Sequence, residues 1–406
     1  MKTSINWSLV FGLSMFVTVI SAHAQTHELH TITADDSFAG QQFSFSMAGD
    51  LRLIAVGARF DSANGTDAGA AYLFDALSAI QFRKLLPNDG ATGDEFGHAI
   101  DIDNGIVTIG APRAEVGGVA SGAVYLFDAS TGVQLFKLTA DDGAEGDMFG
   151  SAVAVADGVV AVGAKFDDER GDNSGSVYLF DTSSGVQIDK LTAGDGAAND
   201  NFGESVALDG DMLAVGAHGH SHDGLLLSPG AAYLFDVTTG VETSKLGASD
   251  ASSFDFFGSA IDIDQGKVIV GAWAKSIVFD HSGAAYIFDA TTGEQIGPRL
   301  TPGDARDRQN FGISVAIRGD TALIGADGDI QSGFEAGAAY LFDATDGSEL
   351  DKLVASDGAN FNKLGAAAAI VDDFVAVGAI GYENDSGRIY LFAGPNLIYI
   401  NGFEGQ

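Results

Sequence analysis

Phe-Gly-Ser-Ala-Val-Ala-Val-Ala runs from Phe149 to Ala156, Asp157-Gly158 follows, and Val-Val-Ala-Val-Gly-Ala runs from Val159 to Ala164. After a polar loop come Gly-Ser-Val-Tyr-Leu-Phe-Asp from Gly175 to Asp181 and Val-Gln-Ile-Asp-Lys-Leu from Val186 to Leu191. The period-two alternation of Ser151, Val153 and Val155 with small alanines reads as a strand. Asp157-Gly158 is a two-residue hairpin signal, as is Asn104-Gly105 one copy earlier. Val159 to Val162 is a continuous apolar run, expected of a strand buried on both faces. Val177 to Phe180 reads as a third strand. Asp181 begins a turn by bonding its side chain to nearby backbone N–H groups. The more polar Val186 to Leu191 reads as an outer fourth strand.

The rest of the chain repeats this stretch. Its opening aromatic or aliphatic residue recurs at Phe43, Phe96, Phe149, Phe202, Phe257, Phe311 and Leu364, in steps of 53, 53, 53, 55, 54 and 53 residues. A near-constant period of this length means a repeat architecture. Four antiparallel strands per copy, small inside and polar outside, predict an all-β, seven-bladed β-propeller. A linear solenoid is the rival, but it needs terminal caps that the sequence lacks.

Tyr72, Tyr125, Tyr178, Tyr233, Tyr286, Tyr340 and Tyr390 mark seven third strands, yet only the first six are followed by a fourth-strand pattern. The missing pattern precedes the first copy. Residues 28–33 are therefore expected to pair with Gly387 to Phe392 and close the ring. Leu397 to Ile400 is the competing candidate.

Lys plus Arg number 20 against 56 Asp plus Glu, a formal charge of −36. That balance argues against nucleic acid or an anionic membrane surface as partner. The absence of cysteine excludes disulfides, thiolate metal sites and a cysteine nucleophile. Lys2, the apolar run Trp7 to Ile20 and Ala22-His23-Ala24 form a secretory signal layout, with cleavage expected after Ala24. The run is short for a membrane span. The expected organisation is a signal peptide at 1–24, a propeller at 25–394 and a tail at 395–406. The mature chain is expected outside the cytoplasm: secreted, periplasmic or at the cell surface, and not inserted in a membrane.

Alternating strand direction puts the tight hairpins on one face. The second-to-third-strand and interblade loops, which are longer and differ in every copy, lie on the other. Variable loops on a rigid frame are where ligands are met. Two candidate metal sites lie there. An Asp stands seven residues before each copy's landmark, at Asp36, Asp89, Asp142, Asp195, Asp250, Asp304 and Asp357, with a second at Asp94, Asp147, Asp200 and Asp255. Pairs such as Asp142 and Asp147 suit calcium; the alternative is loop capping through backbone N–H groups. His218, His220, His222 and Asp223 could converge on a transition metal if the segment is extended. Asp101-Ile102-Asp103 and Asp262-Ile263-Asp264 begin like calcium loops but turn too soon.

The Phe-Gly openings and Gly-Ala closings, complete as Gly110-Ala111-Pro112 in one copy, resemble the FG-GAP repeat, the blade of integrin alpha-chain propellers and of many secreted bacterial proteins. The resemblance covers the mature chain. It implies a propeller used for extracellular recognition or adhesion. Integrin-type calcium sites need an expanded first hairpin, and Asp157-Gly158 and Asn104-Gly105 are too short to wrap an ion. The turn from Phe127 to Gly132 is also similar to quinoprotein propellers, but Trp273 is the sole tryptophan outside the leader. No metalloprotease, nucleophile-elbow or phosphate-loop motif is present. The sequence thus reads as an exported, non-enzymatic module binding a protein or glycan, with no certain cofactor. The alternatives are a hydrolase or lyase acting on polysaccharide, or a purely structural surface protein.

Overall fold

The computed structural model describes residues 27–221 and 227–394. Seven four-stranded antiparallel sheets carry the chain. The third blade has strands Phe149–Ala156, Val159–Ala164, Ser176–Asp181 and Gln187–Leu191, paired in sequence order. Second and third strands are buried almost throughout, while fourth strands are half-buried to exposed except at their last residue. This is the burial gradient of blades packed face to face. The turns after the third strands form as expected: Asp181 Oδ1 accepts the N–H groups of Ser183 and Ser184 at 3.1 and 2.8 Å.

The seventh sheet joins the two ends. Glu28–Ile32 pairs antiparallel with Arg388–Ala393, setting Glu28 opposite Phe392, Thr31 opposite Tyr390 and Ile32 opposite Ile389. The N-terminal strand is therefore the outer strand of the last blade. The rival segment, Leu397 to Ile400, lies outside the described residues.

The recurring motifs are packing devices. Each opening Phe is fully buried and meets two third-strand rings edge-on; Phe149 sits 5.4 Å from Tyr178 and 5.8 Å from Phe180. Such contacts add about 0.5–1.5 kcal/mol beyond area burial. The Gly of each Gly-Ala stands where neighbouring blades nearly touch: a Cβ on Gly163 would collide with the Gly203 carbonyl oxygen. First strands also clasp the next blade through their final carboxylates. Asp50 accepts the Asn104 N–H at 3.0 Å, Asp103 that of Asp157 at 3.1 Å and Asp209 that of Gln265 at 2.8 Å. The interblade loop runs parallel to the preceding second-to-third-strand loop, as in the bridges Gly175 to Phe202 and Gly230 to Phe257. The variable face is thus built from paired loops.

Candidate functional site

At the root of every loop pair, three segments converge. The interblade loop brings an Asp, the third strand a Tyr and, in six blades, the fourth strand a Lys or Arg. In blade 3 the Asp142 carboxylate accepts from Tyr178 Oη at 2.9 Å and from Lys190 Nζ at 2.7 Å. The same pair of bonds forms at Asp36 (Tyr72 2.9 Å, Lys84 2.6 Å), Asp195 (Tyr233 2.8 Å, Lys245 2.5 Å) and Asp304 (Tyr340 2.8 Å, Lys352 2.7 Å). Asp250 is held by Tyr286 and Arg299, and Asp89 by Lys137 at 2.6 Å. In blade 7 the outer strand offers Thr31 opposite Tyr390, where blade 3 has Lys190 opposite Tyr178. Arg388, on the third strand itself, supplies the cation to Asp357 at 2.7 Å instead.

Except at Asp89, both oxygens of these carboxylates are therefore engaged. Burial works to raise the Asp142 pKa, but the Lys190 and Tyr178 bonds outweigh it and hold the acid below its ordinary range. Tyr178 is pushed far up, by burial first and by Asp167 and Asp142 next. The seven repeated aspartates are held chiefly by side chains, a role that the capping reading of the sequence did not include. They are side-chain clamps that tie a loop to two strands in five blades, to the third strand alone at Asp357 and to the fourth alone at Asp89, with an ammonium or guanidinium beside each.

The second ring does cap backbone. Asp94, Asp147, Asp200 and Asp255 accept the N–H three residues earlier, from Ala91, Ala144, Ala197 and Ser252, at 2.7–2.9 Å. Gln41 and Gln309 take the same role in blades 1 and 6. In blades 1, 4, 5 and 6 each faces a residue three past the Gly-Ala, one of the two being a carboxylate and the other a donor to it; Asp94 in blade 2 has Ala114 there. Gln41 donates to Asp61 at 2.9 Å and Gln309 to Asp329 at 2.8 Å, whereas Asp200 meets His220 at 2.9 Å and Asp255 meets Lys275 at 2.8 Å. Blade 3 breaks the pattern by setting Asp147 near Asp167, both buried. Burial, with a contribution from the Asp167 charge, raises the Asp147 pKa.

His218 and His220 go to different places. His220 is buried within the blade 4 clamp, where Lys245 Nζ lies 2.7 Å from Nε2, so Nε2 accepts and Nδ1–H faces Asp200. His218 lies 3.8 Å from Glu204, with its ring 5.6 Å from Phe256. Burial lowers its pKa, with Glu204 opposing. His222 and Asp223 lie outside the described residues. Among the described residues no group of three or more His, Asp or Glu is placed to hold a metal ion.

First strands line an axial channel. One position on this wall is alanine in five blades (Ala48, Ala154, Ala207, Ala316, Ala369) and carboxylate at Asp101 and Asp262. Burial pushes these two up to about 6 and about 7, against backbone N–H bonds from Val155 and Ile317.

The sequence reading missed the clamp and the aromatic content of the loop face. Phe254, Phe256, Trp273 and His281 follow one another with centroid spacings of 6.3, 5.7 and 5.9 Å. The clamp had a signal: in five blades a Lys stands 12 residues after the marked Tyr (84, 137, 190, 245 and 352).

Residues 26–74, 80–127, 133–180, 186–235, 241–288, 298–342 and 348–392 each match the FG-GAP repeat. Each matched unit after the first starts on or just before the outer strand of one blade and ends on the third strand of the next. The first unit accordingly begins at the strand that closes the ring. No curated protein matches the chain. With seven matched units covering most of its length and seven sheets to correspond, the chain belongs to the FG-GAP repeat β-propeller family, consistent with an integrin-alpha-like propeller architecture.

Proposed function

We propose that the chain is an exported binding module that meets a macromolecular ligand, protein or glycan, on its variable-loop face. One observation carries this reading: every loop pair on that face differs in sequence while its root is fixed by an Asp held to Lys or Arg and, in six of the seven blades, to a Tyr hydroxyl as well. Loops held at the root reach the ligand without the ordering cost of free segments. The opposite face offers mostly two-residue turns such as Asp157-Gly158. Propellers built from this repeat are structural modules rather than catalytic ones. The acidic surface favours a neutral or basic ligand over nucleic acid.

The lack of cysteine allows a clean test. Ser253→Cys on the loop face and Asn104→Cys on the hairpin face each give one thiol for attachment of a bulky polyether. Binding to arrayed peptides and oligosaccharides is expected to fall when the loop face is blocked and to persist when the hairpin face is blocked. Loss from the hairpin face alone, or no binding to either array, would overturn the proposal.

A further inference from the structure

The seven blades provide an internal comparison of what each loop position requires. In every interblade loop one residue donates its N–H to the neighbouring loop, three residues before the opening Phe or Leu: Gly40, Gly93, Gly146, Asn199, Phe254, Arg308 and Phe361. All seven have positive φ, between 55° and 93°. Three blades use glycine and one uses asparagine, the residues that tolerate this backbone best. A Cβ on Gly40, Gly93 or Gly146 would have no neighbour within 4 Å, so the fold asks for no side chain there. Blades 4 and 6 nonetheless end with phenylalanine at this point. A bulky residue in the left-handed region is a backbone outlier. Phe254 and Phe361 also leave 51% and 54% of their surfaces exposed. Backbone strain and exposed apolar surface both disfavour them, and the other blades show that neither is needed.

Both lie in one arc. Phe361 stacks edge-on against Phe334 at 5.4 Å, and the Phe254 N–H bonds the Leu227 carbonyl at 2.7 Å. Blade 5, between them, ends its loop in Val278 and Phe279, the former 81% exposed. On the loop face, the loops of blades 1 and 3 place no exposed large hydrophobic among the described residues.

Resting on the reading of the loop face as a binding face, we infer that this arc over blades 4 to 6 is the contact surface for a basic protein partner that inserts apolar side chains. Charge selects the partner. A second copy would bring two bodies of −36 together, and like charge at that scale keeps chains apart. Side-chain chemistry selects protein over sugar: Leu227 and Val278 have no ring face for a pyranose to stack on, whereas Phe clusters rimmed by charge are typical interface cores. Asp280, Asp307 and Glu335 border the arc; Arg308 lies 4.0 Å from Asp280, and the acids in excess of it meet basic groups on the partner.

The test uses short synthetic peptides in which Phe and Leu alternate with Lys and Arg, against a matched set carrying Asp and Glu. Binding to the whole chain is followed by fluorescence anisotropy. The basic set is expected to bind in a salt-sensitive manner. Phe254→Asn combined with Phe361→Asn, which installs the blade 3 residue, is expected to weaken binding about tenfold or more with the unfolding midpoint held. Ile188→Ser, on an outer strand, leaves binding intact. Equal binding of acidic and basic sets, or unchanged affinity in the double variant, overturns the inference. So does a large fall in its midpoint, which would make the rings structural. Self-association abolished by the double variant would make the occupant a second copy, and oligosaccharide binding lost in it would make the occupant a glycan; either overturns the partner assigned here. Peptide binding blocked from Ser253→Cys yet insensitive to the double variant overturns the arc alone and leaves the binding face standing.

Discussion

Asp147→Gln should stabilise this protein, and the reason is local to blade 3. Asp147 and Asp167 are only 6% and 4% exposed, and they are the single second-ring pair in which an acid faces an acid. Blades 1 and 6 show the uncharged solution. Gln41 Oε1 accepts the Phe38 N–H at 3.2 Å while its Nε2 donates to Asp61 at 2.9 Å, and Gln309 bonds Arg306 and Asp329 in the same way. In blade 3 a glutamine would keep the bond from Ala144 and add a donor to Asp167. A hydrogen bond to a charged group contributes roughly 1.5–3 kcal/mol. Asp167 already accepts from Tyr178, Ser176 and Lys190, so about 1–2 kcal/mol is the expected gain. For a chain of this length that is a rise of roughly 2 °C in the unfolding midpoint. The pH dependence identifies the cause. An acid whose folded pKa is raised destabilises the fold when ionised. Its penalty is absent below the unfolded pKa of about 3.9 and grows as pH rises through the folded value. Thermal scans of both proteins from about pH 7.5 to about pH 4.5 should show the increment shrinking toward the acid end. A variant less stable at neutral pH, or an increment independent of pH, would refute the reasoning.

Tyr178→Phe removes the donor shared by Asp142 and Asp167, both at 2.9 Å, and should cost about 1–3 kcal/mol in urea unfolding at neutral pH. Millimolar calcium should leave the midpoint of the wild-type chain unchanged, because Lys190 Nζ already lies 2.7, 3.1 and 3.3 Å from Asp142, Asp167 and Glu169; Lys190→Met should unfold earlier and recover partly with calcium. Asp101 and Asp262, with Asp50, Asp103 and Asp264 nearby in the channel, hold protons that the unfolded chain has released, so stability should fall as pH rises from about 4 to the folded values of about 6 and about 7 and level off above them. Replacing both with the alanine of the other blades should flatten that decline in urea midpoints at about pH 5 and about pH 8. Deleting residues 27–36 should leave Arg388–Ala393 as an open edge and lower the midpoint steeply, and the same segment added as a peptide should restore it.

Much of the fold was legible because it is repeated. The opening Phe, the Asp-Gly hairpins and the marked Tyr each recur at fixed spacing, and counting six complete copies against seven located the closing strand at residues 28–33. The clamp was not read because its three members come from separate segments. Asp142 precedes Tyr178 by 36 residues and Lys190 follows by 12, so no local pattern joins them. His218 and His220 were expected to point the same way, as alternate residues of an extended chain do. The chain instead turns there, with the His220 N–H bonded to the Ala217 carbonyl at 3.1 Å, and the two rings diverge. The exposed phenylalanines were invisible for another reason: only the backbone angles show that the position they occupy has positive φ in every blade, where three others use glycine.

The pairing of Glu28 with Phe392 also makes the fold a test of length. The strand that arrives first during synthesis has no partner until the last blade has been made. A chain stopped anywhere short of Arg388 can stack blades one against the next, but it keeps two bare ends: a first blade with one uncovered flank and an orphan leading strand. Because consecutive blades bury hydrophobic clusters between them, the missing seam withholds the last of those clusters, the one joining Ile54 and Tyr72 to Val371 and Ile389. The ring therefore closes only in a late step, and until it does the first blade's flank and the leading strand stay open to proteases.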